Sequence, residues 1–294
     1  MISHQQLRGT GVALVTPFNK QKDVDHTALS KLVNFVIDEG VDFLVALGTT
    51  AETSSLSDKE KFEVLKTIKD TNANRLPIVL GVGSNNTTQL VDLINKIDFD
   101  GIDAILSVTP YYNKPTQEGL YQHFKAVSEV SPLPVILYNV PSRTGVNLHA
   151  QTTLRLANDF DNIIGIKEAS ANFIQLMDII KHKPEDFIVL SGDDATTFPL
   201  LSLGGDGVIS VIANAVPKAF SQMVKSGLQG NYKEARQLHY CFTDLLKDVF
   251  IEGNPAGIKA MLEMQDIADN QLRLPLVAVS SKTYTRLKDQ FKLL

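Results

Sequence analysis

Lys167 closes an apolar, β-branched run, Ile163-Ile164-Gly165-Ile166-Lys167-Glu168-Ala169-Ser170, and an amine at the end of such a run is suited to imine formation. A neutral amine adds to a ketone, and the protonated imine then draws electrons from the neighbouring carbon so that a proton can leave it. An ordinary lysine is less than about 0.1% neutral at pH 7. The chemistry therefore needs surroundings that disfavour the ammonium, and burial among isoleucines has that sign. On the octapeptide alone, a lysine that snorkels to water or pairs with Glu168 fits as well.

Other polar residues sit at similar places in the chain. Tyr138 ends the apolar run before Tyr138-Asn139-Val140-Pro141-Ser142-Arg143-Thr144-Gly145 much as Lys167 ends the next one, so a phenol and an amine can converge, and the phenol can move a proton to or from a carbinolamine. Arg143, in a loop bounded by proline and glycine, suits a bidentate grip on a carboxylate, or a surface ion pair. Gly48-Thr49-Thr50-Ala51-Glu52 places two hydroxyls and several backbone N–H groups beside a glycine, a site for a small carboxylate or a proton relay, or an ordinary turn before a helix. In Thr109-Pro110-Tyr111-Tyr112-Asn113-Lys114-Pro115 one of the two tyrosines is a candidate acid, with loop or subunit packing the other reading. Ser191-Gly192-Asp193-Asp194 fits a helix N-cap better than a metal site. Gly81-Val82-Gly83 lacks the third glycine and the later acid of a dinucleotide fingerprint, and the six histidines form no acid–base–nucleophile set.

The elements that must carry these residues alternate. Strand-like runs cover Gly11–Thr16, Asp42–Ala46, Pro77–Val82, Ile102–Val108, Pro134–Tyr138, Ile163–Lys167, Phe187–Leu190 and Gly207–Val211. Between them lie helical patterns such as Ala28–Glu39 and Asp58–Lys69. Ser57 with Glu60 and Asn86 with Gln89 read as capping boxes, and Ser170 as an N-cap. This is an α/β pattern that predicts a (β/α)8 TIM barrel, with a doubly wound sheet as the alternative. Residues 1–227 would form the barrel and carry the site. The helical stretches Tyr232–Val249, Gly257–Met264 and Val279–Phe291 exceed what closure needs, so 228–294 read as an appended C-terminal helical domain.

A net charge of −5 argues against a nucleic-acid or membrane surface. The one cysteine, Cys241, excludes an internal disulfide and fits a reducing compartment; it reads as a small buried hydrophobe in a helix. With neither a signal-peptide core nor a transmembrane stretch visible, the expected location is cytoplasmic.

Taken together, Gly-Thr-Thr-x-Glu at 48–52, Tyr-Tyr-Asn-Lys-Pro at 111–115, Tyr-Asn-Val-Pro-x-Arg-Thr-Gly at 138–145, Gly-Ile-Lys-Glu-Ala at 165–169 and Ser-Gly-Asp-Asp at 191–194 resemble the 4-hydroxy-tetrahydrodipicolinate synthase family over essentially the whole chain. The resemblance implies a cofactor-free condensation of pyruvate with L-aspartate-4-semialdehyde, on the diaminopimelate route to lysine. By position, Lys167 would carry the Schiff base, and Tyr138, Thr50 and Tyr112 the proton relay. Thr49 and Thr50 would hold the pyruvate carboxylate, Arg143 the semialdehyde carboxylate, and Gly192 and Ile209 would line the pyruvate site with backbone. It also implies a homotetramer, a dimer of dimers, with Tyr111 at the dimer interface and the relay triad spanning two subunits. Sister families, the N-acetylneuraminate lyases and 2-keto-3-deoxy sugar-acid aldolases, share the barrel and the lysine; Arg143 and Thr49 argue against them. A catalytically silent barrel kept as a sensor or scaffold is the non-enzymatic alternative.

Two segments depart from the family pattern. Ala51 stands where a glycine is usual, which raises the question of backbone geometry beside the carboxylate site, and Glu252–Gly257 is less proline-rich than usual. Thr53, Asp58, Lys61, Asn85, Gln89 and Tyr111 match the region where some members bind lysine as an inhibitor. Lys61 replaces a histidine and Gln89 a glutamate, so a bound ammonium would lose a carboxylate and gain a neighbouring cation, a loss on the order of 1–3 kcal/mol.

Overall fold

In the computed structural model, which describes residues 4–292, eight parallel strands close into a barrel in chain order. They are β1 (Gly9–Ala13), β2 (Phe43–Ala46), β3 (Ile78–Gly81), β4 (Ala104–Val108), β5 (Val135–Asn139), β6 (Ile163–Glu168), β7 (Ile188–Ser191) and β8 (Gly207–Ser210). The helices between them are α1 (His26–Asp38), α2 (Asp58–Asn72), α3 (Thr87–Ile94), α4 (Gln117–Val130), α5 (Pro141–Thr144), α6 (Ala150–Asp159), α7 (Phe173–His182) and α8 (Thr197–Ser202). After β8 come α9 (Pro217–Leu228), α10 (Tyr232–Phe250), α11 (Ala256–Met264) and α12 (Ser281–Phe291).

The strands are apolar on both faces because both are covered. Val45, Val79, Leu106, Ile136, Ile188 and Ile209 fill the barrel, while their neighbours Leu44, Ile105, Leu137, Val189 and Val208 belong to the layer packed with the helices. In α1 the buried residues Leu29, Leu32, Val33 and Val36 recur at helical spacing, and Asp25 caps the helix by accepting from Ala28 N–H. The β8–β1 seam explains one glycine. Gly207 has φ 147°, and a Cβ there would fall 2.1 Å from the Gly9 carbonyl oxygen, so a side chain would pry the barrel open.

Several local expectations need correction. β1 lies earlier than expected, because Gly9 N–H already bonds the Asp206 carbonyl and Val15 N–H leaves the sheet for the Asn214 side chain. Ser57 and Glu60 form the full capping box, but at α3 only the Asn86 half is present, with its side chain accepting from Gln89 N–H. The N-cap of α7 is Asn172, accepting from Gln175 N–H, not Ser170. Cys241 is exposed, not buried, since the inward face of α10 is made by Phe242, Leu245, Leu246 and Val249. No helix among the described residues is long and apolar enough to cross a membrane.

Candidate active site

The alternation of β6 is broken once, and that break aims the lysine. Against β5, Val135 pairs with Ile163 but Ile136 pairs with Gly165, so Ile164 is an extra residue. Ile163 and Ile166 face the helices and Ile164 faces the barrel interior. Without the bulge, simple alternation from Ile163 would send Lys167 outward; with it, Lys167 points in and pairs in register with Tyr138.

Lys167 is buried, 5% exposed, and its Nζ lies 4.3 Å from the centroid of the Tyr138 ring. Among the described residues its amine has neither a hydrogen-bond acceptor nor a carboxylate within ion-pair range, and the Tyr138 phenol also makes no hydrogen bond. Pairing with Glu168 is excluded, because Glu168 faces the other way. Its oxygens accept from Asn139 Nδ2 (3.1 and 3.0 Å), Gln175 Nε2 (2.7 Å) and Ser170 N–H (2.7 Å). A buried amine without a partner is costly, and it is the arrangement a nucleophile requires.

Gly192, at the end of β7, gives the lysine room. A Cβ there would come 3.1 Å from Lys167 Cε and 2.7 Å from Ala169 Cβ. Ile209 on β8 is buried in the same interior cluster. The next turn is pinned by Asp194, whose Oδ2 accepts from the N–H groups of Val211 (3.1 Å) and Ile212 (2.9 Å). Burial pushes its carboxyl up to about 6 in spite of those bonds. Asp193 is the N-cap its type suggested, accepting from Ala195 N–H at 3.2 Å.

After β2, Thr49–Ala51 form one 3-10 turn whose leading N–H groups have no intrahelical acceptor. Thr49 is exposed and Thr50 buried. The alanine at 51 causes no strain, because the left-handed position is taken by Glu52, φ 53°. Glu52 is held there by a residue the sequence did not flag. Lys259 Nζ lies 2.5 Å from Glu52 Oε1, both side chains essentially unexposed, and Arg273 N–H donates to Glu52 Oε2 at 3.1 Å. Burial lowers the Lys259 amine to about 8, against the opposing pull of Glu52. Asn254 Nδ2 donates to Thr50 Oγ1 at 3.0 Å, a contact between positions 204 apart for which sequence offers no signal.

Arg143, in α5, is exposed and has no side-chain partner among the described residues. Its backbone turn, with Gly145 in the left-handed region at φ 74°, presents the guanidinium to solvent at the strand ends. Tyr112 is not brought into the site of its own chain: it is 89% exposed. Of the residues matched to an effector region, Asn85 Nδ2 donates to the Tyr111 carbonyl at 3.3 Å and Lys61 pairs with Asp58 at 3.0 Å. Thr53 Oγ1 donates to the Gly48 carbonyl, and Gln89 lies in the first turn of α3, its N–H bonded to the Asn86 side chain. Among the described residues no cluster of three or more His, Cys, Asp or Glu could hold a metal.

An inward, unpaired lysine beside a tyrosine at the carboxyl ends of barrel strands is the constellation of a class I, imine-forming lyase. Comparison with known proteins agrees. The chain is 53% identical over 283 residues to 4-hydroxy-tetrahydrodipicolinate synthase of Parabacteroides distasonis, covering 96% of this chain and 95% of that one. It is 54% identical to the enzyme of that name from Flavobacterium psychrophilum, covering 96% and 97%. A crystal structure described as dihydrodipicolinate synthase from Acinetobacter baumannii complexed with pyruvate superposes with a TM-score of 0.94 at 42% identity, covering 97% of this chain and 98% of that one. Because the model of the dihydrodipicolinate synthetase family also matches residues 6–294, the chain belongs to that family.

Proposed function

We propose that this chain condenses pyruvate with L-aspartate-4-semialdehyde through an imine on Lys167, acting as a 4-hydroxy-tetrahydrodipicolinate synthase. The observation that carries the reading is the buried, unpaired amine of Lys167 lying against Tyr138. The amine attacks the ketone carbon of pyruvate. Tyr138 supplies the proton with which the carbinolamine hydroxyl leaves as water, giving the iminium. Loss of a methyl proton yields an enamine whose carbon attacks the aldehyde. The amino group of the former semialdehyde then displaces Lys167 from the imine carbon, which closes the ring and frees the enzyme. Thr49 and Thr50 receive the pyruvate carboxylate, with Gly192 and Ile209 lining that end.

Incubation with pyruvate and borohydride, followed by peptide mapping, tests the reading. A reduced adduct on Lys167 together with condensation activity is the expected result. An adduct without condensation would indicate a sugar-acid aldolase, and no adduct a silent barrel.

Arg143 would hold the semialdehyde carboxylate, since its guanidinium has no partner among the described residues. Arg143→Ala should leave pyruvate trapping intact and lower kcat/KM for the semialdehyde about a hundredfold, the loss of a charged bidentate contact. An equal fall in trapping would place Arg143 elsewhere in the reaction.

We further infer a cytoplasmic homotetramer in which Tyr112 completes the relay of a neighbouring subunit. This is supported by a tyrosine left 89% exposed, and by the exposed Ile174, Met177 and Tyr240. The barrel is taken to end near residue 227. L-Lysine should inhibit weakly or not at all, because Lys61 and Gln89 supply no carboxylate for its ammonium; an inhibition constant in the low micromolar range would overturn this.

A further inference from the structure

The appended helical domain reaches the chemistry through one side chain. Asn254 lies between α10 and α11, 9% exposed, with Nδ2 donating to Thr50 Oγ1 at 3.0 Å. Its own Oδ1 is buried without a hydrogen-bond partner among the described residues. Both ends of this contact are braced. On one side the Glu252 carboxylate accepts from Ser280 N–H (2.8 Å) and Ser280 Oγ (2.6 Å), and from the Thr283 hydroxyl. On the other, Lys259 one turn into α11 grips Glu52, two residues past Thr50.

A threonine hydroxyl has one proton and two lone pairs. The Asn254 amide fills one lone pair, so the Thr50 proton cannot point back at Asn254 and must be offered elsewhere, and the second lone pair stays open. We propose that Asn254 is a positioning residue: by donating to Thr50 it orients that hydroxyl for proton transfer at the barrel mouth. A carboxylate at 254 would do the reverse. It accepts the Thr50 proton and withdraws it from the relay, although its size and shape are almost those of asparagine. The inference rests on the reading of Thr50 as a relay group.

Full-length Asn254→Ala, Asn254→Asp, Thr50→Val and the double variant Thr50→Val/Asn254→Ala separate the two. If Thr50→Val leaves kcat unchanged, the reading of Thr50 is wrong. If Thr50→Val lowers kcat, the proposal expects Asn254→Ala to cost about tenfold in kcat, the scale of one lost orienting hydrogen bond. It expects the near-isosteric Asn254→Asp to cost more, about a hundredfold, on the scale of general acid–base catalysis. The double variant should be no slower than Thr50→Val alone. Activity of Asn254→Asp relative to wild type should recover as pH falls and the introduced acid regains a proton to donate. A merely structural role predicts the opposite order, with Asn254→Asp milder than Asn254→Ala, additive losses in the double variant and no recovery at low pH. Any of those three results overturns the proposal, whether or not Asn254→Ala also lowers the melting temperature.

Discussion

Lys167→Met loses the pyruvate adduct entirely and at least roughly a thousandfold in condensation rate, because it removes the amine that makes the imine. Its melting temperature is unchanged or higher. The folded protein buries Lys167, 5% exposed, with its amine against the face of Tyr138 and, among the described residues, without a hydrogen-bond acceptor. An unsatisfied buried polar group costs on the order of 1–3 kcal/mol, and methionine fills a similar volume without that cost. Stability sacrificed at a site for its chemistry returns when the chemistry is removed. Borohydride trapping and thermal unfolding on the same preparation test both halves. A retained adduct would mean that another lysine carries the imine, and a fall of many degrees would mean that the Lys167 stem is a structural strut.

Lys259→Met has the opposite profile, a loss of stability that carries activity with it. Lys259 lies 2.5 Å from Glu52, donates to the Gln271 carbonyl at 2.8 Å and stands 4.1 Å from the centre of the Phe18 ring. Removing it leaves the Glu52 carboxylate buried without its cation, which costs about 3–5 kcal/mol and lowers the melting temperature by about 10 °C for a domain of this size. Glu52 holds the left-handed turn just after Thr50, so the KM for pyruvate should rise at temperatures where the variant is still folded. The double variant Glu52→Gln/Lys259→Met should regain much of the lost stability, since neither charge remains to be buried. A single variant as stable as wild type, or a double no better than the single, would show that the pair does not hold this loop.

The sequence by itself determined the alternation of strands and helices, the cap at Asp193, the capping box at Ser57 and the positions of the polar groups at strand ends. These depend on neighbours within a few residues, where periodicity and turn chemistry are written. It also determined that Ala51 needed explanation, although the left-handed angle falls one residue later, at Glu52. Only the tertiary structure decided which way the lysine points. The Ile163–Ile166 run is apolar at nearly every position, so it carries no alternation from which to read a face, and the extra residue in the pairing of β6 with β5 turns Lys167 inward. Tertiary structure likewise decided that Tyr112 stands in solvent, that Cys241 lies on the exposed side of α10, and that Asn254 and Lys259 reach back to Thr50 and Glu52. Contacts across some two hundred residues leave no local pattern. They form because closing the barrel carries the segment after β8 over the loop after β2, where two buried polar side chains each required a partner.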